Sequence, residues 1–482
     1  MYKKQDFDSL SKKYSFTHYL LTLFRQTYII RYGFERSDYV EIKLSEHFNC
    51  KKLLKFTLPS MVMMMFTSIY SVVDGFFVSN FAGKEPFAAV NFIMPLLMIL
   101  GAVGFMLGSG GSALVARTMG EGDDERANRY FSLLIYVTVA IGTLLAILGI
   151  VFVRPIASLM GAEGALLDNA VLYSRLILIA LPFFMLQMEF QTFFITAEKP
   201  RLGLIITVIS GVCNIILDAL LVGILPLGLI GAAAATAISQ TVGGVIPIVY
   251  FARKNTSRLR LTKTSFDSRA LIKASTNGSS ELMNNIAMSV VGMLYNIQLL
   301  TYAGQDGVAA YGILMYVGMI FNAIFVGYSV GVSPVISYHF GADNTKELQG
   351  LLKRSFLILG VSSVIMFLSC LTFGDTMSYI FAGYDKELYE MTSHAFFVYA
   401  FSFLFMGFAI FGSGFFTALN DGLVSAIIAF LRTFIFQLIF ILLFPVIWGL
   451  DGIWFSVVAA EVAMVFVFGV FLVLNRKKYR YY

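Results

Sequence analysis

Residues 202–225, LGLIITVISGVCNIILDALLVGIL, form an apolar run long enough to cross a bilayer as a helix, and they carry one acid. Within the run, Asn214-Ile215-Ile216-Leu217-Asp218 sets an amide and a carboxyl four residues apart, so at helical pitch both project from one face. An Asp near the middle of a lipid-facing helix costs about 2.5–3.5 kcal/mol on insertion scales. The Asn214–Asp218 face is therefore expected to look into a helical bundle or a wet cavity, with a partner there.

The rest of the chain has the same character. Of 482 residues, 58% are hydrophobic and 13% charged, with 47 Phe and a mean hydropathy of +0.78. A soluble domain carries about 25% charged residues, so the fold class is an all-α polytopic membrane protein. The net charge of +6 does not imply nucleic acid, because the basic residues cluster in the turns between apolar runs. Cys50, Cys213 and Cys370 are too few and too scattered for a disulfide framework, and His18, His47, His339 and His394 are far apart in sequence. No metal centre and no cofactor is expected.

Twelve transmembrane helices follow a leader: 54–78, 88–116, 130–153, 169–197, 202–225, 229–252, 273–301, 308–338, 355–374, 391–417, 423–446 and 452–474. In the leader, 1–52, Phe16, Tyr19, Leu20, Leu23, Phe24 and Thr27 recur at helical spacing near Arg25 and Arg31. That pattern predicts an amphipathic surface helix in a dispensable tail. Basic residues recur at alternate turns: Lys51, Lys52 and Lys55; Arg117, Arg126 and Arg129; Lys199 and Arg201; Arg253 to Arg269; Lys346, Lys353 and Arg354; and Arg476 to Arg480, while the loop after span ten, with only Asp421, is silent. The positive-inside rule then puts both termini in the cytoplasm.

An internal repeat organises the spans. Phe81-Ala82-Gly83 with Ala88-Ala89 returns 221 residues later as Tyr302-Ala303-Gly304 with Ala309-Ala310. The same offset takes Gly110 to Gly331, Ser112 to Ser333, Gly120 to Gly341, Thr196-Ala197 to Thr417-Ala418, and Gly228-Leu229 to Gly449-Leu450. A constant offset over six spans, an even number, makes a parallel repeat: two six-helix lobes related by a pseudo-two-fold along the membrane normal, as in secondary transporters. The lobes are expected at 53–252 and 273–475, joined by a cytoplasmic linker, 253–272, and closed by a basic tail, 476–482.

Asp74, about 6 Å from the outer end of span one, and Asp218, about 10 Å from that of span five, fall at similar depth in the first lobe. Two bare like charges there are costly, so the pair is expected to share a proton or a cation. The second copy has lost the acids: Asp74 corresponds to Tyr295 and Asn214 to Ile435. It has gained others, since Gln240 corresponds to Glu461 and Gly211 to Arg432. Arg432 and Glu461, in neighbouring spans, read as a structural ion pair or as part of a substrate cavity with Glu281, which stands beside Asn284 and Asn285 in span seven. Arg175 and Glu189 in span four receive no role. Pro59, Pro95, Pro182, Pro247 and Pro334 are expected to permit bending, and Gly101, Gly104, Gly108 and Gly111 to permit close helix packing. Gly108-Ser109-Gly110-Gly111-Ser112-Ala113 fits a dinucleotide fingerprint only formally, since no strand precedes it. The sequence has no Walker A motif, zinc-protease pair or nucleophile elbow, which argues against an ATP-driven pump or an enzyme.

These residues resemble the multidrug and toxic compound extrusion (MATE) transporters, in particular their bacterial DinF-like branch. The resemblance rests on Leu58-Pro59 through Tyr70 to Val73-Asp74, on Asn214 to Asp218, and on Gly231 through Ser239 with Thr236 at the matching hydroxyl, and it extends from about Phe48 to Asn475. It implies a V-shaped pair of six-helix lobes in the plasma or inner membrane, with the coupling cation bound by Asp74, Asn214, Asp218 and Thr236. Another branch pairs acids on spans seven and ten; here span ten has no carboxylate, so Glu281 lacks that partner. The implied activity is antiport, with H⁺ or Na⁺ driving export of amphipathic, cationic organic compounds along walls of Phe and Met. The 22 Met include Met61 and Met63 to Met65 in one span. Small organic molecules and lipids are the expected partners, nucleic acid is not, and a monomer is expected. A lipid-linked precursor flippase, with Arg175 and Arg432 for phosphates, and a non-transporting receptor are the alternatives.

Overall fold

The computed structural model describes residues 42–481. The expected amphipathic helix at 16–27 lies outside the described residues. From Lys43 onward the chain is one compact unit, and its regular structure is helical.

Among the described residues, nine helices are long and apolar enough to span a membrane, and two further bent pairs, Gly164–Ile179 with Leu181–Thr196 and Lys386–Ala400 with Phe403–Ala418, each make one more crossing. The longest of the nine, Ser268–Gly341, has 74 residues. Straight, it would run about 110 Å, several times the roughly 30 Å of a hydrocarbon core. It reverses instead at Gly304, whose φ of 61° and ψ of −148° suit a residue without Cβ. The reversal brings the rings of Tyr295 and Tyr311 into a stack with centroids 5.2 Å apart. The described residues thus contain the twelve crossings that the sequence predicts.

Most helices outrun their apolar stretches, and six of those described start at a polar side-chain cap: Asn49, Asp123, Asp267, Asn344, Asp385 and Asp421. Asp123 accepts from the Arg126 amide at 2.9 Å, and Asn344, its repeat counterpart, from the Glu347 amide at 3.2 Å. Spans four and ten, expected as single helices, bend by 60° and 52° at repeat-related points, after Ile179 and at Phe401–Ser402. Pro182 follows the first bend, but no proline marks the second; there Ser402 Oγ donates to the Tyr399 carbonyl at 2.7 Å. Pro59, Pro95, Pro247 and Pro334 remain inside continuous helices.

The ends of the domain map also differ from expectation. The leader is expected to run to residue 52, yet the first helix begins at Cys50, and Leu44 and Phe48 are fully buried. The Leu44 amide donates to Glu198 Oε1 at 2.8 Å and the Phe48 amide to Glu347 Oε1 at 3.0 Å, so this segment is fastened to both halves. The linker is ordered along span three: the Arg260 amide meets Asn128 Oδ1 at 2.6 Å and the Thr262 amide meets Ser132 Oγ at 2.8 Å. The basic tail continues the last helix to Tyr479. Lys478 and Tyr479 both donate to Asp421 in the loop after span ten. Burial works to raise the Asp421 carboxyl, but these bonds and the Val424 amide outweigh it and hold the group below its ordinary range.

Small residues set how closely the helices approach. A Cβ on Gly104 or Gly108 of span two would meet the Met185 or Glu189 backbone of span four. Between the halves, Gly110 lies against Ala274 and Gly278, while Gly331, its repeat partner, lies against Thr57 and Ser60. Spans two and seven, and spans eight and one, therefore meet in matching ways across the pseudo-two-fold.

Candidate functional site

Asp74 lies in the last α-helical turn of span one, just before a π-helical stretch, Val78–Ala82. Asp218 ends the α-helical part of span five, and Ala219–Ile224 beyond it is again π-helical. Both acids thus occupy α-to-π junctions, where the widened turn re-aims side chains and loosens the backbone ladder.

The structure brings the four predicted first-half residues together. Asp74 is 8%, Asn214 1% and Asp218 0% exposed. Thr236 Oγ1 of span six donates to Asp74 Oδ1 at 3.4 Å. Asp218, Thr236 and Asn214 are the polar side chains facing the Asp74 carboxyl. Both oxygens of Asp218 and both polar atoms of the Asn214 amide lack a hydrogen-bond partner within the protein. Two carboxyls, an amide oxygen and a hydroxyl make an all-oxygen donor set, suited to a proton or a hard cation such as Na⁺.

Two tyrosines belong to the same cluster and were missed from sequence. Tyr173, 1% exposed in the first segment of span four, faces Asp74, Asp218 and Thr236. Tyr70 faces Asp74 from one turn earlier on span one. The i, i+4 spacing of Tyr70 and Asp74 was legible. Tyr173 gave no local signal, because its helix reaches the cluster only through the fold.

The second-half candidates are not part of this cluster. Arg432 lies in the π-helical stretch Leu431–Ile435 of span eleven. It grips Glu461 of span twelve through Nε at 3.0 Å and Nη2 at 2.8 Å. Glu461 is 2% exposed, so these two groups face each other rather than an open cavity. Glu281 is half-buried on span seven, and Arg432 is the charged side chain facing it. At the repeat position of Asp74, the Tyr295 hydroxyl donates to Gln437 Oε1 at 2.7 Å. Arg175 is exposed in the first segment of span four and bonds the Ile150 carbonyl at 3.4 Å. Glu189 is fully buried, with neither carboxyl oxygen partnered. A crevice of about 380 Å³ between spans nine and ten, lined by Asp375, Glu390, Ser393 and His394, includes none of the cluster residues. No group of three metal-ligating His, Cys, Asp or Glu side chains occurs among the described residues.

Comparison with known proteins matches the repeated helical architecture. The MatE family model matches the chain twice, over residues 59–220 and 282–443, one match in each copy of the repeat. The Multidrug export protein MepA of Staphylococcus haemolyticus (strain JCSC1435) is 28% identical over 434 residues, covering 88% of this chain and 94% of that protein. MepA of Staphylococcus aureus (strain MSSA476) is 27% identical over 415 residues, covering 85% and 90%. A crystal structure of MATE in complex with MaL6 shares the fold with a TM-score of 0.86 at 21% identity, covering 91% of this chain and 98% of that one. The outward-facing conformation of a multidrug resistance MATE family transporter of the MOP superfamily gives a TM-score of 0.85 at the same identity and coverage.

Proposed function

The chain belongs to the MatE family, and from that premise we propose that it is a multidrug exporter: a secondary antiporter that moves amphipathic organic cations out of the cell in exchange for H⁺ or Na⁺. The observation that carries the coupling half of this reading is the Asp74–Asp218 pair. Two buried carboxyls face each other with a single hydrogen bond, from Thr236, and no basic partner among the described residues.

A pair of ionised carboxyls in an apolar bundle repel each other and lose their hydration, so a proton or a Na⁺ that neutralises them lets spans one, five and six draw together. Asp74 and Asp218 hold the cation, Asn214 and Thr236 complete the oxygen set, and Tyr173 closes it from span four. Cation arrival and departure then bias the equilibrium between outward-open and inward-open forms, which is all that coupling requires. We keep Glu281 in the substrate-facing wall, where a carboxylate attracts an organic cation, and take Arg432 and Glu461 out of it, because each satisfies the other. The same pairing removes Arg432 as a free phosphate ligand, and Arg175 is exposed in the first segment of span four, bonded to the Ile150 carbonyl, so the flippase alternative loses both of its residues.

The reading assigns no cofactor and no catalytic step. It places the protein as a monomer in the plasma or inner membrane with both termini cytoplasmic. The test is transport in proteoliposomes with ethidium as the probe cation. Ethidium moves against its gradient when a pH or Na⁺ gradient is imposed and stops when an ionophore collapses it; movement indifferent to both gradients overturns antiport. For orientation, a single cysteine at Thr256, which is exposed on the linker, reacts with a membrane-impermeant maleimide only from the cytoplasm, and one at Lys84 only from outside. Reversed labelling inverts the topology.

A further inference from the structure

The two halves share a scaffold and differ in how their buried polar groups are satisfied. Spans one, five and six of the first half correspond to spans seven, eleven and twelve of the second. In the first set, the Asn214 amide and the Asp218 carboxyl have no partner in the protein. In the second set, Ser280, Asn284 and Trp454 each keep a buried polar atom without a partner, but the groups at and beside the counterpart positions are satisfied across the helices. Tyr295, at the place of Asp74, bonds Gln437 of span eleven. Arg432 and Glu461 tie span eleven to span twelve through two charge-assisted bonds. Ile435 and Ile439 stand where Asn214 and Asp218 would be.

The pair sits on the same helices as the counterpart of the cation cluster, one turn deeper. Arg432 takes the place of Gly211, three residues before Asn214, and Glu461 that of Gln240, four residues after Thr236. A Cβ at Gly211 would strike the rings of Phe66 and Tyr70, so the first half has no room there for a long basic side chain. In the second half the π-helical stretch that carries Arg432 changes the direction of the side chain, and the guanidinium reaches across to span twelve.

We propose that Arg432 is a tethered cation. It neutralises Glu461 permanently, in the way an exchangeable ion neutralises the first-half acids, and so holds spans eleven and twelve together and keeps the second half out of the coupling cycle. The comparison with an exchangeable ion rests on the reading of Asp74 and Asp218 given above; the neutralisation of Glu461 rests on the distances alone. A guanidinium stays protonated at every working pH and cannot diffuse away. One half thus responds to the gradient while the other supplies a fixed wall.

The groups facing the pair define what a test must separate. Glu281 of span seven faces Arg432, and Tyr295 of span seven and Tyr399 of span ten face Glu461. Phenols ionise near pH 10 in water, which leaves Glu461 and Glu281 as the carboxyls that loss of Arg432 exposes to titration. The experiment uses the full-length protein, purified in detergent for proton counting and reconstituted for ethidium transport. Between pH 8 and pH 5, Arg432→Leu takes up about one more proton per chain than wild type, and Arg432→Leu/Glu461→Gln does not. Transport by Arg432→Leu falls about tenfold near neutral pH and recovers as the pH is lowered, because a proton then replaces the missing cation. Arg432→Leu/Glu461→Leu transports at about half the wild-type rate or better with the wild-type pH profile, since an apolar pair satisfies the same site.

Absence of the extra proton in a folded Arg432→Leu overturns the proposal, and so does its persistence in the Glu461→Gln double variant, which would assign it to Glu281. If Arg432→Leu does not fold, the leucine pair decides alone, and its inactivity with normal membrane abundance overturns the tether. Asp218→Asn, measured alongside, keeps the two readings apart. Activity in that variant removes the first-half coupling site without altering the proton count at Glu461.

Discussion

Asp218→Asn reduces gradient-driven efflux about a hundredfold, to passive leak, while the protein still folds and reaches the membrane. A hundredfold lies within the 5–150-fold range of coupling free energies of about 1–3 kcal/mol. Asparagine keeps the volume of the side chain and one of its oxygens, so the packing around a fully buried position is preserved. What it removes is the group whose charge must be neutralised. Asp218 has no hydrogen-bond partner in the protein, so the substitution breaks no structural bond. Asp74→Asn has the same consequence through the same site, although it also alters the bond from Thr236. The double variant is little worse than either single, because both residues act on one step and their effects do not add. Equilibrium binding of ethidium to the purified variants stays within a few-fold of wild type, which separates coupling from recognition. Active efflux retained by both single variants would locate the coupling site elsewhere.

The second large effect lies where the halves touch at the end bearing the basic loops. An added Cβ on Gly120 would fall 2.0 Å from the Tyr338 carbonyl oxygen, and one on Gly341 would fall 2.1 Å from that of Arg117. The two glycines are repeat partners, as are Arg117 and Tyr338, so spans two and eight make one contact twice. Backbone cannot yield as a flexible side chain can, and a leucine at either position forces the helices apart. In Gly341→Leu and Gly120→Leu the bundle opens at this end and alternation is lost, with efflux reduced about tenfold or more. The opening is read with a cysteine at Ser280, fully buried on span seven, after Cys50, Cys213 and Cys370 are replaced. That cysteine is protected from a thiol reagent in the parent and labelled in the leucine variants. Unchanged labelling together with unchanged transport would mean that the contact has no part in closing the bundle.

The chain itself determined the class, the number of crossings, the repeat and which first-half polar residues come together. Each of these is written in local spacing or in bulk composition. Asn214 and Asp218 share a face because helical pitch is a property of four consecutive residues, and hydropathy alone separates twelve apolar runs. The loss of Asp74 and Asn214 from the second copy, to Tyr295 and Ile435, is likewise read directly from a constant offset. Other features depend on which helix lies against which, and no local pattern encodes that. Tyr173 reaches the carboxyl cluster because span four bends after Ile179 and because glycines on span two let span four approach to backbone contact. The π-helical stretches after Asp74 and Asp218, and around Arg432, trade local hydrogen bonds for a tertiary fit, so the sequence runs through them without a mark. By sequence the tail reads only as a basic end and the segment from Leu44 to Phe48 only as part of a dispensable leader. They are held by Asp421, Glu198 and Glu347, single acids in loops or at a helix start elsewhere in the fold. Arg432 and Glu461 were legible as neighbours; their bidentate closure, which sets the second half apart from the first, was decided by the tertiary structure, because only there do spans eleven and twelve meet at the right height.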